Sequence, residues 1–230
     1  MLAAHDALGT NELARRIGVN PSTASRLLAT LEAARLVEKA PADGRYRLGL
    51  RLVELGNVAL ARLDVRGAAR PHLEALVEET GETATLSVPG ESDAVTVDFV
   101  ASGASVQSVA RLGRPSVAHA TATGKVLLAF GDVAVRPGPL QRFTPRTIVD
   151  PDPLAREVER VRSQGWAEAA GERERDLNAV AAPVFGADGL AAIVGVQGPE
   201  GRFDRAARRA AVPPLLARAR EISEALGWRP

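Results

Sequence analysis

The amino-acid sequence predicts an α+β protein. A small N-terminal domain, residues 1–49, is followed by a linker helix, 50–65, and a larger domain, 66–230. In the first domain, two short helical patterns precede two strand-like runs, and an amphipathic helical pattern comes next. In the larger domain, strand-like runs and helical patterns occur in groups. This grouping favours a mostly antiparallel sheet with helices packed against it.

The clearest helix of the N-terminal domain begins at Pro21. Asn20 can accept a hydrogen bond as its N-cap, and proline fits the first helical position because its missing N–H would have no partner there. A preceding helix spans 11–17, the turn between the two contains Gly18, and we expect a brief helix before Gly9. Apolar residues recur at helical spacing and are expected to be buried: Leu13, Ala14, Ile17, Ala24, Leu27, Leu28 and Leu31.

Two strand-like runs, 36–39 and 45–48, follow these helices and are joined through an Asp-Gly turn signal. Together the four elements predict a winged helix-turn-helix, which places one helix in the major groove of DNA. Four residues at the start of the second helix would meet the groove: Ser22, Thr23, Ser25 and Arg26. Arg45 and Arg47 would contact phosphates. The alternative is an αα-hairpin inside a core, but a ribbon with basic residues past its turn favours DNA binding.

The larger domain carries the sheet and most of the helices. Helices are expected at 68–80, 121–130, 154–164 and 203–228, the last interrupted or kinked at its Pro-Pro pair. Strands are expected at 83–88, 94–101, 105–112, 179–185 and 190–196, and the last two form a hairpin.

Residues 119–125 are the richest candidate site of this domain and read HATATGK. Small residues before a helix let a ligand approach the N–H groups at its N-terminus, where a small carboxylate would be stabilised. The stretch is not a phosphate-binding loop, because Val126 stands where a Ser or Thr would bind magnesium. The alternative is that small residues here only permit close packing of helix and sheet.

Catalysis and metal binding have little support in the sequence. Cysteine is absent, and the three histidines, His5, His72 and His119, show no metal-ligand spacing. No GxSxG nucleophile motif occurs. Two carboxylate pairs, Glu78 with Glu79 and Glu172 with Glu174, are interpreted as solvated faces. We therefore expect no catalytic residue, no metal and no cofactor.

Composition sets broader bounds. Hydrophobic residues make up 46% of the chain but aromatic residues only 3%, so the core is expected to be mostly Ala, Leu and Val. The net charge of +1 leaves DNA binding open, because a local basic surface decides it. Neither a long apolar run nor a signal-peptide pattern is present, so we expect a cytoplasmic protein and no membrane partner.

Several stretches together match one known family. In the N-terminal domain they are ELARRIG, PSTASRLLATLEAARLVE and GRYRLG; in the larger domain they are RPHLEALVEETGETATLSV, HATATGKVLLAF, RFTPRTI and VAAPVF. In this order, over nearly the whole chain, they resemble the IclR family of bacterial transcription regulators. The resemblance implies a repressor or activator that binds double-stranded operator DNA. It also implies a GAF-like domain that binds a small organic acid, and a homodimer formed through the DNA-binding domain and linker helix, or a tetramer through the larger domains.

The resemblance further implies which residues line the effector pocket: Ala122, Thr123, Ala169, Leu177, Ala179, Gly195 and Gln197. The family often has an acidic residue at the position of Ala169, cysteine at Ala179, and serines at Gly195 and Gln197. It also often has glycine at Asp176. Losing those polar groups makes the pocket floor more apolar. We therefore expect an aromatic or hydroxy acid as effector, rather than a two-carbon oxo acid.

Three other functions stay open at this point. The chain could be an enzyme acting on a small carboxylic acid, or a DNA-binding protein that needs no ligand. It could also be a family member that has lost operator binding because its first helix is short.

Overall fold

The computed structural model describes residues 2, 5–41, 43–55, 65–108, 110–134 and 140–229. The chain forms two compact units, Met1–Arg62 and Leu63–Pro230. Residues 51–55 are helical, whereas 56–64, the rest of the predicted linker helix, lie outside the described residues. The predicted division at 49 and 65 therefore stays a prediction. In the part of the chain that is described, no helix is both long and apolar enough to cross a membrane.

The N-terminal unit contains the predicted helices and ribbon. Helix α1 spans Thr10–Ile17 and α2 spans Pro21–Ala33, followed by the antiparallel strands β1, Val37–Lys39, and β2, Tyr46–Leu48. The side chain of Asn20 accepts a 2.8 Å hydrogen bond from the Thr23 N–H and caps α2, as predicted. Gly18 ends α1 with a φ of 73°, a left-handed conformation that favours glycine.

The prediction of a brief helix before Gly9 is wrong for residues 5–9, which the structure describes and which are not helical. Leu8 instead pairs with Tyr46 as an isolated antiparallel bridge, with N–O distances of 3.0 and 2.9 Å. The pairing places the Leu8 side chain in the small core, beside residues of both helices and both strands: Leu13, Leu28, Val37 and Tyr46. Burial in this core, gained through strand pairing, outweighs the local helical pattern.

Three apolar residues that were expected to be buried are exposed: Ile17, Leu27 and Leu31, by 44%, 50% and 38%. The predicted stripe is therefore narrower than the sequence spacing suggested. Only Leu13 and Ala14 of α1, and Ala24 and Leu28 of α2, are covered. One neighbouring helix and a two-stranded ribbon are too few elements to cover the rest.

The C-terminal unit is built on a six-stranded antiparallel sheet with the order β5-β4-β3-β8-β7-β6. The strands are β3, Thr83–Val88; β4, Ala94–Val100; β5, Pro115–Ser116; β6, Ala167–Ala170; β7, Leu177–Gly186; and β8, Gly189–Pro199. The helices are α3, Val65–Thr80; α4, Ala122–Phe130; α5, Pro151–Gln164; and α6, Arg205–Ala225. The predicted α+β class and the β7–β8 hairpin are confirmed.

Helices cover both faces of this sheet. Helices α3 and α6 share one core with Val180 and Ala182 of β7, whereas α4 and α5 share another with Ala181 between them. Alternate residues of a strand point to opposite faces. Strand β7 therefore contributes to both cores and is buried on both sides.

Two further expectations are wrong. The described residues of 105–112 form no strand; the edge strand is β5, at 115–116, after a loop held by a 3.1 Å hydrogen bond from the Thr83 hydroxyl to the Ser108 carbonyl. Helix α6 continues through Pro213 and Pro214, so of the two effects expected there, an interruption or a kink, the interruption is wrong. Residues before and after the prolines are buried against the sheet, and this packing holds the helix together despite the missing N–H groups.

Gly124, in the first turn of α4, has no room for a side chain. A Cβ atom there would lie 2.5 Å from both the Ala118 Cα and the Val117 carbonyl oxygen. The close contact is with the backbone that leads into the helix. Gly124 is therefore needed for close packing of the helix against this backbone, and not for the approach of a ligand.

Lys125, the next residue, is buried beneath α4 with 1% of its side chain exposed. Its Nζ donates to Glu172 Oε1 at 2.7 Å and to the Glu168 carbonyl at 2.9 Å, and lies 3.4 Å from Glu157 Oε1. One buried ammonium thus joins α4 to α5, to β6 and to the loop after β6.

The two carboxylates around Lys125 differ in pKa. Burial raises the pKa of Glu172, although the Lys125 charge opposes the rise. Burial also acts to raise the pKa of Glu157, but the hydrogen bond from Arg160 and the Lys125 charge outweigh it, and the net shift is downward. The interpretation of Glu172 as part of a solvated face is wrong, since it is only 9% exposed.

We predict that Gly124→Ala destabilises the C-terminal unit by about 1–3 kcal/mol, because the added methyl group must displace backbone. Urea unfolding followed by circular dichroism would measure the loss. Gly201→Ala is the matched control, since a Cβ at Gly201 meets nothing within 4 Å. Equal stability of the two variants would contradict the packing role.

We also predict that Lys125→Met costs about 3–5 kcal/mol, because the Glu172 carboxylate is then buried without its cation. Adding Glu172→Gln should recover part of this loss, since a neutral amide buries no charge. The same unfolding experiment tests both variants. A double variant as unstable as the single one would show that the ion pair is not the cause.

Candidate functional site

The four residues of α2 that are predicted to meet DNA are accessible to solvent. Ser22, Ser25 and Arg26 of α2 are exposed and Thr23 is partly exposed. Arg26 forms no ion pair with any described residue, so its guanidinium is free to contact a base edge. The Ser22 hydroxyl donates to the Asn20 side chain at 2.8 Å. Its proton is therefore already used in the cap of α2.

The two arginines of the ribbon are exposed but paired. Arg45 lies 3.3 Å from Glu12 of α1, and Arg47 forms an ion pair with Glu38 of β1. Exposed ion pairs of this kind contribute little free energy, so a phosphate can replace the carboxylate. Tyr46, between them, is buried on the other side of the ribbon.

The C-terminal unit contains a cavity of about 730 Å³ on the sheet face that carries α4 and α5. Six of the seven residues expected in the effector pocket line it: Ala122, Thr123, Ala169, Leu177, Ala179 and Gln197. The seventh, Gly195, lies directly behind the lining, since a Cβ atom there would be 3.7 Å from the Thr123 Oγ1.

Strand register brings three of these residues together. Ala169 of β6 pairs with Ala179 of β7, and Ala179 pairs with Gln197 of β8, so the three form one row across the sheet. The row has small side chains at one end and the polar Gln197 at the other. Gln197 Nε2 donates a hydrogen bond to the Ser108 hydroxyl at 2.7 Å.

Helix α4 begins at the edge of the cavity. Thr121 caps it by accepting a 2.9 Å hydrogen bond from the Gly124 N–H. The N–H groups of Ala122 and Thr123 have no acceptor among the described residues, and both residues line the cavity. Two free N–H groups at the positive end of a helix can bind a carboxylate.

The lining of the cavity is partly apolar and partly polar. Ala169 and Ala179 on the sheet match the apolar surface expected from the sequence. The lining as a whole is more polar than expected, since it includes several hydroxyl groups, two of them on the same sheet, Thr85 and Thr96, and the others at Ser108, Ser116, Thr121 and Thr123.

Sequence reasoning missed the arginines of the cavity: Arg111, Arg114, Arg173 and Arg175. Two of them belong to the run GERERD, in which alternating charges resemble a solvated loop. Arg114 is 2.7 Å from Glu174. Burial and the neighbouring Arg114 charge lower the pKa of Arg173. The sequence did contain a signal for these arginines, namely a run of charged residues directly before a strand that carries pocket residues.

His119 does not line the cavity. Its Nε2 lies 2.9 Å from the Gln141 carbonyl, and its ring centroid is 5.8 Å from that of Phe143. The histidine therefore has a structural role in the loop before α4. Within the described ranges, no group of three or more His, Cys, Asp or Glu side chains could hold a metal ion.

Comparison with known proteins agrees with this geometry. Residues 1–41 match the IclR helix-turn-helix domain, and residues 57–224 match the bacterial transcriptional regulator IclR C-terminal domain. The HTH-type transcriptional regulator RhmR of Escherichia coli K12 is 33% identical over 219 residues, which cover 93% of this chain and 84% of RhmR.

Two solved structures have the same fold. An IclR transcriptional regulator from Silicibacter sp. TM1040 superposes with a TM-score of 0.89 at 28% identity, covering 98% of this chain and 91% of the other. An IclR homologue from Microbacterium hydrocarbonoxydans, complexed with 4-hydroxybenzoate, gives 0.76 at 26% identity, covering 96% and 92%.

These relatives are named as transcriptional regulators and not as enzymes, which confirms the prediction of a regulator over that of an enzyme. The predicted resemblance is likewise confirmed, because the two domain matches together extend over most of the chain in the expected order. The chain belongs to the IclR family of bacterial transcriptional regulators.

Proposed function

We propose that this regulator binds operator DNA through α2 and the ribbon, and that a small organic acid in the cavity of the C-terminal unit changes its affinity for DNA. The observation that carries the proposal is the pair of free N–H groups of Ala122 and Thr123 at the cavity edge. A relative complexed with 4-hydroxybenzoate supports an acid as the effector class.

In the DNA step, Arg26 and the hydroxyls of Thr23 and Ser25 read the major groove, while Arg45 and Arg47 exchange their carboxylate partners for phosphates. The Ser22 hydroxyl stabilises the start of the helix and can add an acceptor at the groove. Because the operator DNA of a bacterium lies in the cytoplasm, the proposed function puts the protein there.

We also propose a homodimer, since a protein with one reading helix per chain commonly binds two half-sites. The apolar side chains of residues 50–55 support this arrangement, because they are exposed in the single chain: Leu50, Leu52, Val53 and Leu55. Covering them with a second copy would remove apolar area from water. A tetramer formed through the C-terminal units would extend the same assembly.

In the effector step, a cavity of about 730 Å³ is far larger than a two-carbon oxo acid needs, which supports an aromatic or hydroxy acid. The serine and threonine hydroxyls of the cavity lining provide hydrogen-bond partners for a hydroxylated ligand. The acid can shift the regulator between two states only by its difference in affinity for them. If no acid changes DNA affinity, a ligand-independent DNA-binding protein is the better description.

We predict that Arg26→Ala weakens binding to an operator selected from a random duplex library by about tenfold to a hundredfold, and binding to random DNA much less. Arg47→Ala should weaken both and lower the salt slope by about one, since it loses a phosphate contact. Fluorescence anisotropy at several salt concentrations measures these effects.

The control for the DNA experiment is Arg156→Ala, which removes an exposed arginine of α5 in the other unit. It should leave both affinities within about twofold of the unchanged protein. Equal losses for operator and random DNA in Arg26→Ala would contradict its role in reading sequence.

We predict that Thr123→Val weakens binding of a responsive acid by about tenfold, because valine keeps the shape but removes a hydroxyl beside the charged group. Calorimetric titration with benzoate, 4-hydroxybenzoate, hydroxy acids and glyoxylate measures the affinity. Thr30→Val, an exposed threonine of α2, is the control. Tight glyoxylate binding with no response to the larger acids would overturn the proposed effector class.

A further inference from the structure

The charges that line the cavity do not balance. Four arginines face it, namely Arg111, Arg114, Arg173 and Arg175, against three carboxylates, namely Glu172, Glu174 and Asp176. Glu172 is already paired with buried Lys125 at 2.7 Å. Glu174 and Asp176 remain, and Asp93, outside the lining, also interacts with Arg173, so one arginine charge is left without a counter-charge. The positive end of α4 adds to this excess.

Arg173 is the best placed of these cations. It is partly buried, and no carboxylate of the described residues lies within ion-pair distance of it. Its Nη1 donates to the Pro115 carbonyl at 3.0 Å, and its guanidinium carbon lies 5.6 Å from the Phe143 ring centroid. These two contacts hold the guanidinium in place, while its other N–H groups are left for a ligand.

The surroundings make this cation costly without an anion. Burial and the nearby Arg114 charge disfavour the protonated form and lower the pKa of Arg173, and the charges of Glu174 and Asp93 offset only part of this effect. A guanidinium stays charged at neutral pH in any case. An anion beside it would therefore gain a charge-assisted contact and offset the repulsion between the two arginines.

We propose that the effector carries two carboxylate groups, one bound by the N–H groups of Ala122 and Thr123 and the other by Arg173. The inference rests on the proposed effector function and narrows its ligand class to dicarboxylic acids. One carboxylate would meet the positive end of α4, and the other would balance the arginine charge that has no counter-charge. A single carboxylate that contacts both groups is the alternative that the experiment tests.

The experiment compares acids that differ in one carboxylate. Adipate is matched with hexanoate, succinate with butyrate, and isophthalate with benzoate, each titrated calorimetrically into the full chain. In at least one pair we expect the dicarboxylate to bind about tenfold or more tightly, and the same acid to change DNA affinity. Arg173→Gln should reduce the preference for the dicarboxylate to within about twofold. Arg173→Lys should give an intermediate preference, because lysine keeps the charge but cannot donate two parallel hydrogen bonds to one carboxylate.

Arg156→Gln makes the same change of charge on α5, away from the cavity lining. It should keep the full preference, which separates a local contact from the general field of the protein. Thermal melting without acid checks that each variant is folded.

Each other outcome overturns a different claim. If monocarboxylates bind as tightly as their partners and alter DNA affinity, the inference fails while the proposed function stands. If dicarboxylates are preferred but Arg173→Gln keeps the preference, the assignment of the second carboxylate to Arg173 fails. If no acid of the series binds or alters DNA affinity, the proposed effector function fails as well.

Discussion

The arrangement of the C-terminal unit depends on one buried ion pair, between Lys125 and Glu172. Removing an ammonium group from water is costly, and the cost is offset only if acceptors surround it. Here the acceptors come from α5, from the end of β6 and from the loop that follows it. These elements must therefore lie against α4, and two of them, β6 and the loop that follows it, also line the cavity.

Helix α4 consequently has two roles along nine residues. Its later residues, among them Val126 and Leu127, are fully buried in the core, while Ala122 and Thr123 at its start line the cavity. Gly124 fixes the helix against the backbone that leads into it. A ligand at the N-terminus of α4 would thus contact an element that is rigidly held by the core, which favours a well-defined binding geometry.

The N-terminal unit, in contrast, has a small core that leaves apolar side chains exposed. Its core contains few side chains, and Leu8 reaches it through a strand-like pairing with Tyr46. Apolar side chains of α1, α2 and residues 50–55 stay exposed. A small domain with uncovered apolar surface gains stability from association, which supports the proposed dimer.

The sequence by itself determined the elements whose signals are local: the Asn20 cap and Pro21 start of α2, the β7–β8 hairpin and the α+β class. Only the tertiary structure decided which apolar residues are covered, that Leu8 pairs with Tyr46, that α6 continues through its prolines, and that Glu172 is buried while Arg173 lines the cavity. Caps and turns are set by neighbours along the chain. Burial, register and the balance of charges are set by residues far apart in sequence, such as Lys125 and Glu172, whose proximity no local pattern records.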